Sequence, residues 1–460
     1  MLSLTFVING DKAVSVHNVN TSDSGRDGQV YDVIGIGFGP ANIALAIALE
    51  ELGFAGTRLF LERQGSTKWQ PQMMLSGSDI QNHPSRDLVT PRNPRSRYTF
   101  TNFLFENDRL FEHLNLGLEF PLRSEFAEYV RWVAGFFAKD VVYNQAVTSI
   151  QADPVSNLYC VTTQTGSKFF ARSLVVAPGR TPVIPQAFTD CAADQVFHLT
   201  QYLGRLAQLA QQRELKRVAV VGGSQSAIEI MLHLRHSYPH LEIINIQRGY
   251  GFRLKDTSQF SEHVYFPSFV DQYYNSSAEA KKNINRHLHY TNYSAADADV
   301  ISELYVGMYE DKLQGKNRTT IKSFSDIQAC TATGHSYSLT LLDTQAGTTE
   351  QLPELDAVVL ATGFRNLGTG AQDERFPSIL RDLAESLDCD AQGVIRIGRD
   401  YRLSARAGCN LPALYLNGLC ESSHGYGDAG SFSLLSLRAR EIFTSLSEQL
   451  GLEDAAEKIA

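Results

Sequence analysis

Two glycine-rich turns of the kind that cradle dinucleotides recur about one domain apart in this chain, and they constrain its fold more than any other feature. The first, Gly35-Ile36-Gly37-Phe38-Gly39-Pro40-Ala41-Asn42, follows the apolar run Tyr31-Asp32-Val33-Ile34. The second, Gly222-Gly223-Ser224-Gln225-Ser226-Ala227, follows Arg217-Val218-Ala219-Val220-Val221. In such a turn the first glycine allows the tight bend, the second lets the backbone approach a pyrophosphate, and the third position lets helix and strand pack closely. The phosphates then meet free backbone N–H groups at the helix N-terminus. Pro40, just after Gly39, takes the third position of the first turn and suits a first helical turn.

The strand after each turn carries the next signal. Thr57–Arg63 reads as the strand after the first, and its Glu62 is the candidate acid for ribose hydroxyls. The second turn is looser, with Ser224 at the middle glycine position and Ala227 at the last. Its following strand, Leu241–Ile246, ends in Gln247-Arg248 with no acid. A cation there suits a 2′-phosphate, so NADPH is expected over NADH. A third signal, Asp356-Ala357-Val358-Val359-Leu360-Ala361-Thr362-Gly363-Phe364-Arg365, closes the second unit. Two dinucleotide units in one chain imply a flavin and a nicotinamide brought face to face, and so redox chemistry.

Composition narrows the alternatives. The 460 residues have room for two or three domains, and a net charge of −9 argues against nucleic acid as a partner. No apolar run approaches the ~18 residues of a spanning helix, and no basic run marks a membrane surface. Cys160, Cys191, Cys330, Cys389, Cys409 and Cys420 show no CxxC or Cys/His ligand spacing. Inert thiols in a reducing, cytoplasmic setting are expected, with no metal site and no redox-active disulfide.

The expected architecture is α/β: two Rossmann-like dinucleotide-binding domains, for FAD and NADPH, plus a small mainly helical substrate module. Residues 1–29 read as a variable, partly disordered N-terminal extension. Residues 30–204 read as the FAD domain, completed by 355–450. Residues 205–257 and 317–354 read as the NADPH domain, and the polar, aromatic stretch 258–316 as the helical module.

Taken together, the motifs resemble the flavin-dependent N-hydroxylating monooxygenases, the ornithine/lysine N-monooxygenase family of siderophore biosynthesis. Besides the two turns, the matching residues are Lys68-Trp69, Arg86-Asp87-Leu88-Val89-Thr90, Asn93-Pro94-Arg95-Ser96, Thr291-Asn292-Tyr293-Ser294, Ala361-Thr362-Gly363-Phe364 and His424-Gly425. The resemblance implies that NADPH reduces FAD, O2 adds to the reduced flavin, and the C4a-hydroperoxide passes its distal oxygen to a substrate amine. Chemistry carried by the cofactor leaves the protein to exclude water and place the amine. The amine must be neutral to attack, and no conventional catalytic base is assigned.

The resemblance also implies a site. Gly35, Gly37, Gly39, Pro40, Glu62, Lys68, Trp69 and Gln81 fall to the flavin side. Gly222, Gly223, Ser224, Gln225, Ser226, Arg248, Thr362 and Gly363 complete the cofactor set, and Arg253 and Lys255 are cations within reach of NADPH phosphates or plain solvated loop charges. Gln81 beside the flavin ring and Asn292 are the residues nearest the chemistry. Arg86 stands where the family has a lysine that grips the substrate carboxylate, and Asn292 matches the ornithine enzymes better than the lysine enzymes. Ser433 aligns with a serine near the substrate. Glu262 replaces a family asparagine, where a carboxylate would repel an amino acid's own carboxylate or attract an extra cation. L-Ornithine is therefore the first expected substrate and L-lysine the second, with a diamine, arginine or aspartate as alternatives. Another class B flavin monooxygenase, of Baeyer–Villiger or sulfur-oxidising type, is the alternative class. A homo-oligomer, often a tetramer in the family, is implied as well.

Overall fold

The computed structural model describes residues 28–192, 194–428 and 430–452. The extension expected over residues 1–29 lies outside the described residues except for its last two.

The apolar run before the first turn serves two sheets. Val30–Tyr31 pairs with Lys168–Ala171 in a four-stranded sheet, while Val33–Ile36 enters a five-stranded parallel sheet. Asp32, between them, accepts hydrogen bonds from the Thr57 N–H at 2.7 Å and from Arg172 at 2.8 Å, which anchors the break. In the parallel sheet the order is Ala413–Leu416, Ser173–Val176, Val33–Ile36, Arg58–Leu61, Val141–Val142. Its edge strand thus comes from the C-terminal segment. The central strands are wholly buried, as parallel strands covered on both faces must be.

The helix Pro40–Glu51 follows the first turn with Pro at its first position, and Asn42 to Leu49 are all buried. A helix apolar on every side needs cover on every side. The sheet supplies one wall and the C-terminal helix Leu435–Leu450 another, through Leu435, Ala439, Ile442 and Leu446.

The second unit repeats the plan. Thr319–Lys322, Glu242–Ile246, Arg217–Val221, Ala357–Leu360 and Val196–His198 form a second five-stranded parallel sheet. Strand Ala357–Leu360 therefore lies in the NADPH-type unit and not in the FAD-type unit, which corrects the boundary drawn at 355. An antiparallel sheet of Ser325–Thr333, Ser336–Asp343 and Thr349–Leu355 covers one face.

Packing divides the 258–316 segment. The helix Ala298–Leu313 lies on Gln225–Ser237 of the second unit, with Leu304 and Ala296 in its core. Only Pro267–Tyr274 and Ala278–Asn292 form a separate layer, where Val264, Phe269 and Tyr273 pack on Tyr426 of the C-terminal segment. No helix of the described residues is long and apolar enough to cross a membrane.

Candidate active site

The first turn is shaped for close backbone approach. Gly37 has φ +83°, and a Cβ there would lie 2.4 Å from the Ala177 carbonyl oxygen. A side chain at Gly39 would meet nothing within 4 Å, so this backbone borders open space at the N-terminus of Pro40–Glu51. Asn42 donates to the Gly37 carbonyl at 2.7 Å and accepts from Asn417 at 3.0 Å, tying the turn to the C-terminal segment. Glu62 stands immediately beyond the strand Arg58–Leu61, buried beneath the turn. Its Oε2 accepts the Phe38 N–H at 2.8 Å and its Oε1 the Gln64 N–H at 2.9 Å. Each carboxylate oxygen keeps a lone pair for a hydroxyl. The exposed Lys68 precedes Trp69, whose ring packs edge-on to Phe126 and Phe432.

The second turn uses the same device. At Gly222, φ +148°, a Cβ would lie 2.4 Å from the Ala361 carbonyl oxygen. Beside it runs a cleft of 710 Å³ lined by Gly222, Gly223, Ser224, Gln247, Arg248, Arg253, Thr362 and Gly363, among others. Buried Gln247 has an Nε2 with no hydrogen-bond partner among the described residues, while Arg248 is exposed on the rim. The Arg253 guanidinium stacks over Tyr290 at 4.7 Å. Gly363, φ +78°, offers its carbonyl to His198 Nε2 at 3.0 Å, and Thr362 donates to the Val183 carbonyl. The cradles that a Cβ would fill and the orphaned Gln247 amide fit two dinucleotides, FAD at the first turn and NADPH at the second.

Beside the second turn lies a pocket of 520 Å³ that brings Gln81, Ser224, Gln225, Ser226, Lys255, Asn292, Thr362 and Gly363 together. Gln81, at φ +52°, donates through Nε2 to Asp297, and its N–H is held by Asp79 at 2.8 Å. Gln225 Oε1 accepts the Asp297 N–H at 2.9 Å, so one acid joins residues of both units. Lys255 lies 3.9 Å from the same carboxylate. Burial, with the nearby charges of Asp297 and Glu229, pushes Asp79 up to about 6 against the hydrogen bond from Gln81. Alongside, Arg123 of the first unit grips Glu229 of the second with two bonds of 2.9 and 2.8 Å, both side chains buried.

On the substrate side, Arg86 and Glu262 are partners: both terminal nitrogens lie 3.4 Å from Glu262 Oε2, and each side chain is 30% exposed. Tyr265 joins this pair to Asn292. Its ring lies 5.8 Å from the Arg86 guanidinium and its hydroxyl 3.2 Å from Asn292 Oδ1. Asn292 is the last residue of the helix Ala278–Asn292, so it does not cap the helix that follows; Asp297 precedes that one. Ser433 is buried and donates to Asn82 Oδ1 at 3.4 Å, while Asn82 holds the Arg86 carbonyl at 2.7 Å.

Several residues at this junction escaped sequence reasoning: Asp79, Arg180, Tyr265, Tyr293, Asp297 and Glu421. Tyr293 stands inside the motif Thr291-Asn292-Tyr293-Ser294 and Glu421 three residues before His424, so a signal was at hand. Among the described residues no group of three His, Cys, Asp or Glu is placed to hold a metal.

Comparison with known proteins agrees with this arrangement. The family described as L-lysine 6-monooxygenase/L-ornithine 5-monooxygenase matches residues 29–366. An L-ornithine N(5)-monooxygenase of Pseudomonas aeruginosa is 37% identical over 442 residues, covering 94% of this chain and 96% of the relative. The Kutzneria sp. 744 ornithine N-hydroxylase KtzI, solved with reduced FAD, NADP+ and L-ornithine, superposes with a TM-score of 0.84 at 32% identity, covering 92% of this chain and all of KtzI. The L-lysine 6-monooxygenase of Pseudomonas syringae gives 0.81 at 36% identity, covering 91% of this chain and all of that one.

Proposed function

The chain belongs to the L-lysine 6-monooxygenase/L-ornithine 5-monooxygenase family, and from that premise we propose that it N-hydroxylates the side-chain amine of L-ornithine, with L-lysine second, using FAD, NADPH and O2. The observation that supports this reading is one pocket lined by Gln81 of the first unit, by Ser224, Gln225 and Ser226 of the second turn, and by Asn292.

When bound, FAD supplies the oxygen-activating redox centre and NADPH the hydride that reduces it. The protein's part is binding and orientation. Gly35, Gly37, Gly39 and Pro40 present the first helix N-terminus to the FAD pyrophosphate, and Glu62 takes ribose hydroxyls. Gly222 to Ser226 do the same for NADPH, with Gln247 and Arg248 toward its adenosine end. Gln81, held by Asp79 and Asp297, would stand beside the flavin ring when FAD is bound. Arg86 and Glu262 form an opposite-charge pair suited to a zwitterionic head: the guanidinium takes the carboxylate, and the carboxylate takes the α-ammonium. In this role Glu262 favours a free amino acid. A cytoplasmic location and a homo-oligomer, a tetramer by family resemblance, belong to the same reading.

The test is product formation by purified, FAD-loaded protein with NADPH, scoring hydroxylamine against peroxide for ornithine, lysine, arginine, putrescine, cadaverine and aspartate. Coupled hydroxylation of ornithine is expected. Coupling only with a diamine, arginine or aspartate would overturn the substrate, and peroxide alone with every amine would overturn the substrate class.

A further inference from the structure

An amine that attacks an electrophilic oxygen must first lose a proton, because an ammonium has no lone pair. The junction pocket contains a buried carboxylate suited to take it. Among the described residues lining that pocket, Glu421 is the only carboxylate; the charged or basic side chains around it are Arg180, Lys255 and His289. Glu421 opens the short helix Glu421–His424, directly after the strand Ala413–Leu416 and its loop, and is 8% exposed. Its Oε2 accepts the Tyr293 hydroxyl, and among the described residues Oε1 has no hydrogen-bonding partner. Tyr293 follows Asn292, so the acid is tied to the same chain end that carries a substrate-side amide.

We propose that Glu421 is the proton acceptor for the substrate's side-chain ammonium. The inference rests on the amine N-hydroxylase reading. In the step, one N–H bond of R–NH3+ breaks and an O–H bond forms on Oε1. The electron pair stays on nitrogen, leaving R–NH2 and a neutral carboxylic acid. In water this transfer is uphill by about six pKa units between an alkyl ammonium and a glutamate. In a closed pocket two ions become two neutral groups, so the loss of water favours the transferred state.

The surroundings of Glu421 suit the task. Burial raises its proton affinity above that of an ordinary glutamate, and the Asp428 charge adds to this, while the Tyr293 hydroxyl and the Arg180 guanidinium oppose it. Tyr265, Tyr273 and Tyr426 also face it, all neutral phenols with ionisation pushed upward. Arg180 is partly occupied elsewhere: it donates to Asn366 at 2.9 Å and stacks on Phe364 at 5.1 Å. A carboxylate with a raised proton affinity, one free oxygen and no full ion pair can accept a proton near neutral pH.

The experiment compares the pH profile of hydroxylamine formation per NADPH consumed for the FAD-loaded wild type, Glu421→Gln and Tyr293→Phe, with FAD content and amine-free NADPH oxidation measured alongside. Glu421→Gln is expected to lower coupling at pH 7 by about a hundredfold. Its coupling should then climb about tenfold per pH unit, as solvent alone supplies free amine. FAD content and amine-free NADPH oxidation are measured in each variant so that the change in coupling is read per flavin bound and per NADPH oxidised. Tyr293→Phe keeps the carboxylate but removes the bond that favours its charged form, so its acid limb should move to higher pH with the plateau retained. A Glu421→Gln profile that coincides with wild type overturns the proposal, as does a Tyr293→Phe acid limb that does not move if the Gln variant fails to bind FAD. A wild type that hydroxylates no amine would instead overturn the proposed function itself.

Discussion

The two nucleotide turns rest on the same contact and diverge one strand later. A Cβ at Gly37 or at Gly222 would lie 2.4 Å from a carbonyl oxygen, Ala177 in one case and Ala361 in the other, each at the end of the neighbouring parallel strand. After the next strand, the first unit has buried Glu62 bonded to Phe38, while the second has Gln247, whose Nε2 has no partner among the described residues, and the exposed cation Arg248. The turn's shape therefore states only that a pyrophosphate fits. The charge beyond the following strand states which dinucleotide, because it meets the ribose.

The comparison breaks most severely if the two units are uncoupled. Arg123→Ala would leave Glu229 buried without its cation and is expected to cost about 3–5 kcal/mol, read as a fall in denaturant midpoint. An unchanged midpoint would mean that the ion pair is not buried in solution.

Next come the matched substitutions Gly37→Ala and Gly222→Ala, each of which combines a left-handed backbone with a backbone clash. Roughly 1–3 kcal/mol of strain at either site corresponds to about 5- to 150-fold weaker binding. The first should purify with little flavin absorbance, whereas the second should keep its flavin and show a raised KM for NADPH. Loss of flavin from both would show that the turns do not act separately.

A smaller effect sharpens the contrast at the strand ends. Arg248→Ala should lower the preference for NADPH over NADH about tenfold in kcat/KM, about 1.4 kcal/mol. Equal loss with both cofactors would remove the 2′-phosphate from its role.

The smallest concerns Asp79, at the seam between the units. Its carboxyl is pushed up to about 6, so the folded chain holds this proton more tightly than the unfolded one, and stability falls as pH rises from about 4 to 6. Asp79→Asn should therefore stabilise the fold at pH 7.5 by no more than about 1 kcal/mol for a partly solvated group, read as a higher Tm, with the gain vanishing below pH 4. A gain that persists at pH 3.5 would point to another cause.

What could be read from the sequence follows the range of each interaction. The turns and Glu62 were legible because glycine geometry and strand–turn–helix spacing are local. The split at Asp32 was not, since the apolar run continues across it and Thr57 and Arg172, both distant in sequence, fix the break. The segment 356–365 was legible as the close of the second unit, where Ala357–Leu360 pairs with Arg217–Val221 and Val196–His198, although the boundary drawn at 355 assigned it to the first. Arg86 and Glu262 were read as opponents for one substrate; 176 positions apart, they hold each other. The Gln81–Asp297 and Arg123–Glu229 contacts join different units, and no periodicity announces such pairs.

The Glu62–Phe38 bond carries a further consequence for how fast, rather than how tightly, the first cofactor is captured. Because this carboxylate already fastens the turn, much of the entropy of ordering that loop is lost during folding. Little of it remains to be lost on binding. Association should then proceed at a rate set by diffusion and orientation, without a slow loop-closing phase. The amide of Phe38 should resist hydrogen exchange even before any nucleotide arrives.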